Sequence, residues 1–185
     1  MTEIPGLIPC IGCGALVPNT NGPTHRYIGA SPGCWQAYSE LLARGYGSDD
    51  APAYGAMSRI TVDIYAAQHP GVPGKQSSQS VCAHLFILCL VLEHDLDLSF
   101  ATAAITRFIE KHKGHNFPWL EPPASLGPIT VLDLLNATDA GDYDRKIRLW
   151  AESVWGAWEP HHATIRAWAD AWESEAGGRR SHAHG

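Results

Sequence analysis

Cys10-Ile-Gly-Cys13-Gly is the stretch around which the rest of the sequence is arranged. His25 follows it, and the turn Pro32-Gly33-Cys34-Trp35 closes the segment, so that three of the five cysteines lie between residues 10 and 34. This segment is rich in glycine, proline and asparagine, and such a composition buries too little apolar surface to hold a fixed structure. We therefore expect another interaction to order the first 34 residues.

The spacing of these residues predicts a metal site. Cys10 and Cys13 are separated by two residues, His25 follows after eleven more, and Cys34 follows after a further eight. Glycines beside the paired cysteines allow the backbone to turn so that both thiolates face one ion. Three sulfurs and one imidazole form a tetrahedral Cys3His set, and Zn²⁺ is the favoured metal because thiolates are soft ligands.

Two alternatives to this interpretation remain open. His69 replaces His25 as the fourth ligand if the next helix folds back onto the cysteines. A redox-active CxxC motif is the competing interpretation of Cys10 and Cys13. It is less favoured, because the motif does not follow a predicted strand and open a helix as a thioredoxin-like motif would.

Length, charge and cysteine use limit the class of protein. The 185 residues are most simply one domain, residues 1–176, followed by a disordered tail at residues 177–185. A net charge of −6 argues against nucleic acid and anionic membranes as partners. The most apolar stretch, Val81 to Leu92, is shorter than the about 20 residues of a membrane span. Because no secretory signal is visible, we expect a cytoplasmic protein without a disulfide framework.

Apolar residues recur at helical spacing along most of the chain after residue 34, and no strand pattern is visible. The sequence predicts an all-α fold, a single-domain helical bundle at residues 35–176 with an irregular zinc-knuckle-like segment at residues 1–34. Pro160 interrupts or kinks the last helix, whose tryptophans indicate core packing rather than a cofactor cage. Predicted helices span residues 34–44, 57–69, 75–93, 100–113, 130–137 and 143–175.

Polar residues on apolar helices mark a candidate pocket. Gln76, Ser80 and His84 are spaced four residues apart and therefore share one stripe of a helix. We expect this stripe to face the polar side chains of the preceding helix, including Gln68. A core histidine with a satisfied hydrogen bond remains the simpler interpretation of His84 alone. The candidate pocket residues are Asp63, His69, Gln76, His84 and an inward-pointing His161.

Several motifs of the first half of the chain occur together. They are Cys10-x-x-Cys13-Gly, His25-x-Tyr27, Pro32-Gly33-Cys34-Trp35, Val62-Asp63-x-Tyr65-Ala66-x-Gln68-His69-Pro70 and Gln76-x-x-Gln79-Ser80-Val81-x-x-His84-Leu85. In this combination the chain resembles a family of small bacterial helical proteins of unknown function, over most of residues 8–90 and more loosely at His161-His162. The resemblance implies that these positions form one site, and it implies no particular reaction.

Three functional hypotheses follow. The first is a metal-dependent enzyme acting on a small molecule, in which Asp63 or a pocket histidine transfers protons. The alternatives are a binding or regulatory protein whose zinc is purely structural, and a thiol-based redox or metal sensor. The partner is an unidentified small molecule or protein. Motifs for phosphate loops, dinucleotide binding and HExxH zinc proteases are absent from the sequence.

Overall fold

A short hairpin and seven helices make up the computed structural model in the residues that it describes, 6–47, 59–111 and 117–182. The fold is mostly helical with an irregular cysteine-bearing segment at its amino-terminal end, as the sequence predicted. The elements are β1 (Leu7–Pro9), β2 (Leu16–Pro18), α1 (Pro32–Gly47), α2 (Ile60–Gln68), α3 (Lys75–Leu92), α4 (Leu98–Lys111), α5 (Val131–Leu135), α6 (Ala140–Ala157), a 3-10 turn (Glu159–His161) and α7 (His162–His182).

The hairpin corrects the expectation that the chain has no strands. β1 and β2 pair antiparallel, with Ile8 opposite Val17, and each strand has only three residues. Strands this short carry too few residues for a period of two to stand out, and each one ends in a proline. Only Val17 is fully buried, so the hairpin contributes little to the core.

Helix α2 lies at the centre of the molecule. Eight of its nine residues are buried, and Val62 is the exception. A helix that is enclosed on all sides must pair its polar side chains internally. Gln68 does so through its Nε2, which donates to the carbonyl oxygens of Leu126 at 3.1 Å and Ile129 at 2.8 Å.

The tryptophans of α6 and the residue that follows it belong to the core, as predicted. Trp150 and Trp158 are fully buried. Their indole N–H groups donate to α2, from Trp150 to Gln68 Oε1 at 2.9 Å and from Trp158 to the carbonyl oxygen of Ala67 at 3.1 Å. Each large apolar ring therefore also satisfies a polar group of the central helix, which fixes the position of α2.

Pro160 interrupts the last predicted helix, as expected, and a new helix starts after it. A short 3-10 helix separates α6 from α7. A 3-10 helix has about three residues per turn, whereas an α-helix has 3.6. The helical phase extrapolated from Trp158 is therefore lost, so His162 is buried and His161 is only half-buried. His161 Nε2 instead lies 2.8 Å from the carbonyl oxygen of Glu121. The predicted inward orientation of His161 is wrong.

The ends of several predicted helices shift by a few residues. Positions 57–58 and 112–113 of two predicted helices lie outside the described residues. The predicted Thr130 cap is present, with Thr130 and Asp133 forming a capping box at α5. Helix α7 continues to His182, past residue 176, where the disordered tail was expected to begin. In the described ranges, none of the helices combines the length and apolar character needed to cross a bilayer.

Candidate metal centre

The turn between the two strands brings two thiols to one side of the hairpin. The amide of Cys10 donates to the carbonyl oxygen of Ala15 at 2.8 Å, and the amide of Gly14 donates back to the carbonyl oxygen of Cys10 at 3.0 Å. Gly14 adopts a positive φ of 75°, which side-chain-bearing residues rarely adopt. This tight turn is what allows Cys10 and Cys13 to face a common point.

The start of α1 supplies the third thiol. Cys34 lies in the first turn of this helix and is fully buried. Ser31, just before the helix, donates its amide to Cys10 Sγ at 3.4 Å and accepts the amide of Ile11 on its Oγ at 3.0 Å. A Cβ on Gly33 would lie 2.4 Å from the carbonyl oxygen of Pro18, so α1 packs directly against the hairpin backbone.

The end of α2 supplies the imidazole. His69 Nε2 lies 3.4 Å from Cys34 Sγ, and His69 Nδ1 lies 2.7 Å from the carbonyl oxygen of Tyr65, one turn earlier. Because a carbonyl oxygen can only accept, Nδ1 carries a proton, and Nε2 is the ring nitrogen that faces the thiols and would bind a metal ion. The backbone of His69 is also fixed, because the amide of Gly29 donates to its carbonyl oxygen at 3.0 Å.

The four donor atoms form a compact group. The sulfurs of Cys10, Cys13 and Cys34 and the ring nitrogen of His69 all lie within 4.8 Å of one another. Cys13 Sγ and Cys34 Sγ are 3.8 Å apart, and two thiolates at about 2.3 Å from a tetrahedral Zn²⁺ would be separated by about 3.8 Å. Cys10, Cys34 and His69 are each less than 5% exposed. This group can hold a metal ion.

His25, the first choice for the fourth ligand, does not belong to the group. Its ring meets the ring of Tyr27 edge-on at 4.4 Å and lies 5.5 Å from that of Trp35. His69, the alternative, occupies the fourth position. His25 was favoured because it is closer than His69 to the cysteines in the sequence. The sequence alone does not show that the end of a later helix packs against the cysteines. The structure places the end of α2 against the hairpin turn.

The charges of the thiols depend strongly on one another. Hydrogen bonds from Cys13 and Cys34 hold the pKa of Cys10 far below its usual range. Hydrogen bonding to Cys10 and Cys13 raises the pKa of Cys34 far above its usual range. Burial lowers the pKa of His69, but hydrogen bonds with Cys10 and Cys13 outweigh it and raise that pKa to about 9. Without a cation the thiols therefore cannot all ionise, whereas a divalent ion would stabilise three thiolates together.

Tyr65 is a functional residue that the ligand prediction missed. It is fully buried, and its hydroxyl donates to Cys34 Sγ at 3.5 Å. Its ring stacks on Tyr38 with centroids 3.9 Å apart and lies 4.0 Å from the His69 ring. Burial and the nearby thiols raise the pKa of Tyr65 well above its usual range, so it remains a neutral donor. The four-residue spacing from Tyr65 to His69 on one helix was the available signal.

The predicted pocket residues do not meet in one place. His84 Nδ1 lies 2.8 Å from Asp63 Oδ1, and Gln76 and His84 line the same groove. His69 belongs to the metal group, and His161 lies against Glu121. The structure therefore separates the candidates into a buried metal group and an open groove, and leaves His161 in neither.

The profile of the family of unknown function DUF5946 matches residues 8–159. The chain belongs to this family. The DUF5946 match includes all four residues of the metal group and both residues of the Asp63–His84 pair, and it ends before Pro160. No curated protein and no solved structure shows significant similarity to the chain.

Proposed function

We propose that this DUF5946 protein binds a structural Zn²⁺ ion through Cys10, Cys13, Cys34 and His69. The observation that carries the proposal is the convergence of three sulfurs and one imidazole nitrogen within 4.8 Å. Zinc fits this donor set better than Mg²⁺ or Ca²⁺, because thiolates are soft ligands and those ions prefer oxygen. Four protein ligands complete a tetrahedral shell and leave no position for a substrate.

The location of the group supports a structural role. Its members come from the hairpin turn, the start of α1 and the end of α2. The hairpin leaves Leu7, Ile11 and Leu16 at least 60% exposed, so apolar burial holds it only weakly. When bound, the ion supplies coordination bonds that take the place of a local hydrophobic core. The chain supplies the orientation, through the Tyr65 hydroxyl and the amide of Ser31.

The groove beside the helical body does not favour the metal-dependent enzyme hypothesis. Its walls include Gln76 and His84 but none of the four metal-group residues. A catalytic zinc ion needs an open coordination position that faces a substrate site. The proposed role of the metal is therefore to hold the amino-terminal segment against α1 and α2.

Elemental analysis of the purified full-length protein and its variants tests this proposal. We expect about one zinc ion per chain in the wild type, because four protein donors fill one tetrahedral site. Cys34→Ser and His69→Ala should each lose most of the metal. His25→Ala is the matched control, because it removes an imidazole near the hairpin that lies outside the group.

The outcome separates the two candidate histidines. Loss of zinc from His25→Ala with retention in His69→Ala would contradict the ligand set. Absence of any bound transition metal from wild-type protein prepared without chelators would contradict the proposal as a whole.

A further inference from the structure

An open groove runs along the exposed side of α3 and is separate from the metal group. One part has a volume of about 340 Å³ and is lined by Tyr27, Gln76, Gln79, Ser80, Ala83 and His84. A neighbouring part of about 350 Å³ shares Tyr27 and Gln76 and adds Arg26 and Lys75. Volumes of this size suit small molecules rather than macromolecules.

One residue that lines the groove, His84, is held by an aspartate that does not itself line it. Asp63, on the buried helix α2, is 6% exposed, and its Oδ1 lies 2.8 Å from His84 Nδ1. The carboxylate therefore holds the proton on Nδ1, which leaves Nε2 as the ring's acceptor. Nε2 has no hydrogen-bond partner within the part of the chain that the structure describes, and it is not a buried atom. Four side chains with amide or hydroxyl groups line the same part of the groove as this ring, those of Tyr27, Gln76, Gln79 and Ser80.

The other end of the groove is positively charged. Arg26 and Lys75 are exposed there, whereas the described residues that line both parts include no carboxylate. The first turn of α3 borders the same region, and no side chain caps its amide groups. Both features favour an anion. They stand out in a chain whose net charge is −6.

We propose that this groove binds a small anionic molecule that also carries a hydroxyl or amine. The anionic group binds at Arg26 and Lys75, and the hydroxyl or amine donates a hydrogen bond to His84 Nε2. Asp63 is a positioning residue, because it holds the imidazole in the tautomer that accepts this hydrogen bond. The anionic group is a carboxylate or a phosphate ester, since both chemistries suit a guanidinium and an ammonium group.

Binding is measured on the zinc-loaded full-length protein by NMR of the histidine side-chain nitrogens during titration. Because Lys75 and His84 are nine residues apart on α3, about 13 Å along the helix, the probes have a six-carbon spacer. 6-Hydroxyhexanoate and hexanoate form one pair, and 6-hydroxyhexyl phosphate and hexyl phosphate form the other. In each pair the first probe carries a hydroxyl that the second lacks. We expect one hydroxyl-bearing probe to shift the His84 signals, and its hydroxyl-free partner to bind about tenfold more weakly. The responding pair identifies the class of anion.

Variants then assign the contacts. By isothermal titration calorimetry, which needs no signal from His84, His84→Gln and Lys75→Gln should each weaken binding of the responding probe by about tenfold. The matched control is His94→Gln, because His94 Nδ1 also lies beside a carboxylate, 2.9 Å from Glu173 Oε1, and does not line the groove. Lys75 is exposed, so its replacement tests the anion contact without disturbing the fold.

Two results would overturn the proposal. One is the absence of a His84 response to all four probes at tens of millimolar concentration. The other is a calorimetric affinity for the responding probe that is unchanged in both His84→Gln and Lys75→Gln. Because the groove contains none of the metal-group residues, zinc content measured on the same samples shows separately whether the proposed metal site fails.

Discussion

The α-carbon of Gly12 lies so close to the metal group that a side chain would not fit there. A Cβ at this position would lie 2.4 Å from Cδ2 of the His69 ring and 2.6 Å from the carbonyl oxygen of Gly29. The His69 ring is fixed from its other side, where Tyr65 contributes a carbonyl acceptor and an aromatic face. The ring therefore cannot retreat, and one methyl group would separate the hairpin turn from the end of α2.

Gly12→Ala is expected to weaken metal binding by at least about tenfold, because displacing one ligand by an ångström disrupts tetrahedral geometry. The affinity is measured by competition with a chromogenic zinc chelator. Gly6→Ala is the control, since a Cβ on Gly6 meets nothing within 4 Å. Equal affinities for the two variants would contradict the contact between Gly12 and His69.

Tyr65→Phe removes a hydrogen bond to a ligand without removing the ligand. The hydroxyl donates to Cys34 Sγ at 3.5 Å, and partners of this kind contribute about 10- to 100-fold to metal affinity. We expect about a tenfold loss of zinc affinity in the same competition assay, with the zinc content retained. Tyr27→Phe serves as the control, because Tyr27 is 36% exposed and lines the groove. A wild-type affinity for Tyr65→Phe would show that this hydroxyl does not act on the metal group.

At the scale of elements, a charged contact joins three helices. Glu93, just after α3, accepts two hydrogen bonds from Arg166 of α7, both at 2.7 Å, and one from the Trp155 indole of α6 at 2.9 Å. His162 stacks on Trp155 with ring centroids 3.8 Å apart. The hydrogen bonds from Arg166 and Trp155 together lower the pKa of Glu93 to about 2, although burial opposes them.

This depressed pKa gives a pH dependence whose sign is fixed. The charged form of Glu93 is more stable in the native protein than in the unfolded chain. Its contribution to the free energy of unfolding is therefore complete above pH about 4.5 and is lost as the pH falls towards about 2. Glu93→Gln should therefore lower the free energy of unfolding at pH 7, by less than about 1 kcal/mol because Arg166 is half exposed. The difference from the wild type should shrink steadily between pH 5 and about 2.

Urea denaturation of metal-free protein at each pH provides the measurement, so that acid release of zinc does not enter the comparison. Glu152→Gln is the control, because Glu152 is an exposed carboxylate on α6. A Glu93→Gln deficit that stays constant down to pH 2.5 would show that the ion pair is not the source of the effect.

Periodicity in the sequence predicted the helices but not their phase after an interruption. The apolar spacing from residue 75 to residue 92 identified α3 within one residue of its observed end. The same reasoning placed His161 inward, because it assumed 3.6 residues per turn through Pro160. The hairpin was missed because its order comes from a turn, a glycine with positive φ and contacts with α1, none of which produces a repeating pattern.

At the scale of the whole molecule, the five cysteines divide into two classes. Cys10, Cys13 and Cys34 form the metal group, while Cys82 and Cys89 are buried in α3. Burial raises the pKa of Cys82 and that of Cys89 each to about 12. These two thiols are therefore almost entirely protonated at neutral pH and unreactive, because the thiolate is the nucleophile.

Thiol titration at pH 7.5 should distinguish the two classes. In zinc-loaded protein we expect no rapidly reacting thiol, because the ion protects three and burial protects two. A strong chelator should expose three reactive thiols per chain while far-ultraviolet circular dichroism retains most of its helical signal. Five reactive thiols and a lost helical signal after chelation would mean that zinc holds the entire fold.

The sequence identified the three thiols correctly as neighbours but could not select the histidine. Local spacing constrains Cys10 and Cys13, and the turn before α1 brings Cys34 near them. The fourth position depends on how α2 returns to the hairpin, which is a property of the whole fold. The polar stripe of α3 was visible in the sequence, but its separation from the metal group was not. Asp63 lies in the first turn of α2 and His69 just after its last residue, and the two project to different sites.

X-ray absorption spectroscopy at the zinc edge tests the central claim most directly, because it counts the ligands around the ion. The structure predicts three sulfurs at about 2.3 Å and one imidazole nitrogen at about 2.0 Å. The spectrum of His25→Ala should match that of the wild type, whereas any zinc left in His69→Ala should lack the imidazole contribution. A wild-type shell with fewer than three sulfurs, or one completed by a water oxygen, would contradict a structural Cys3His site.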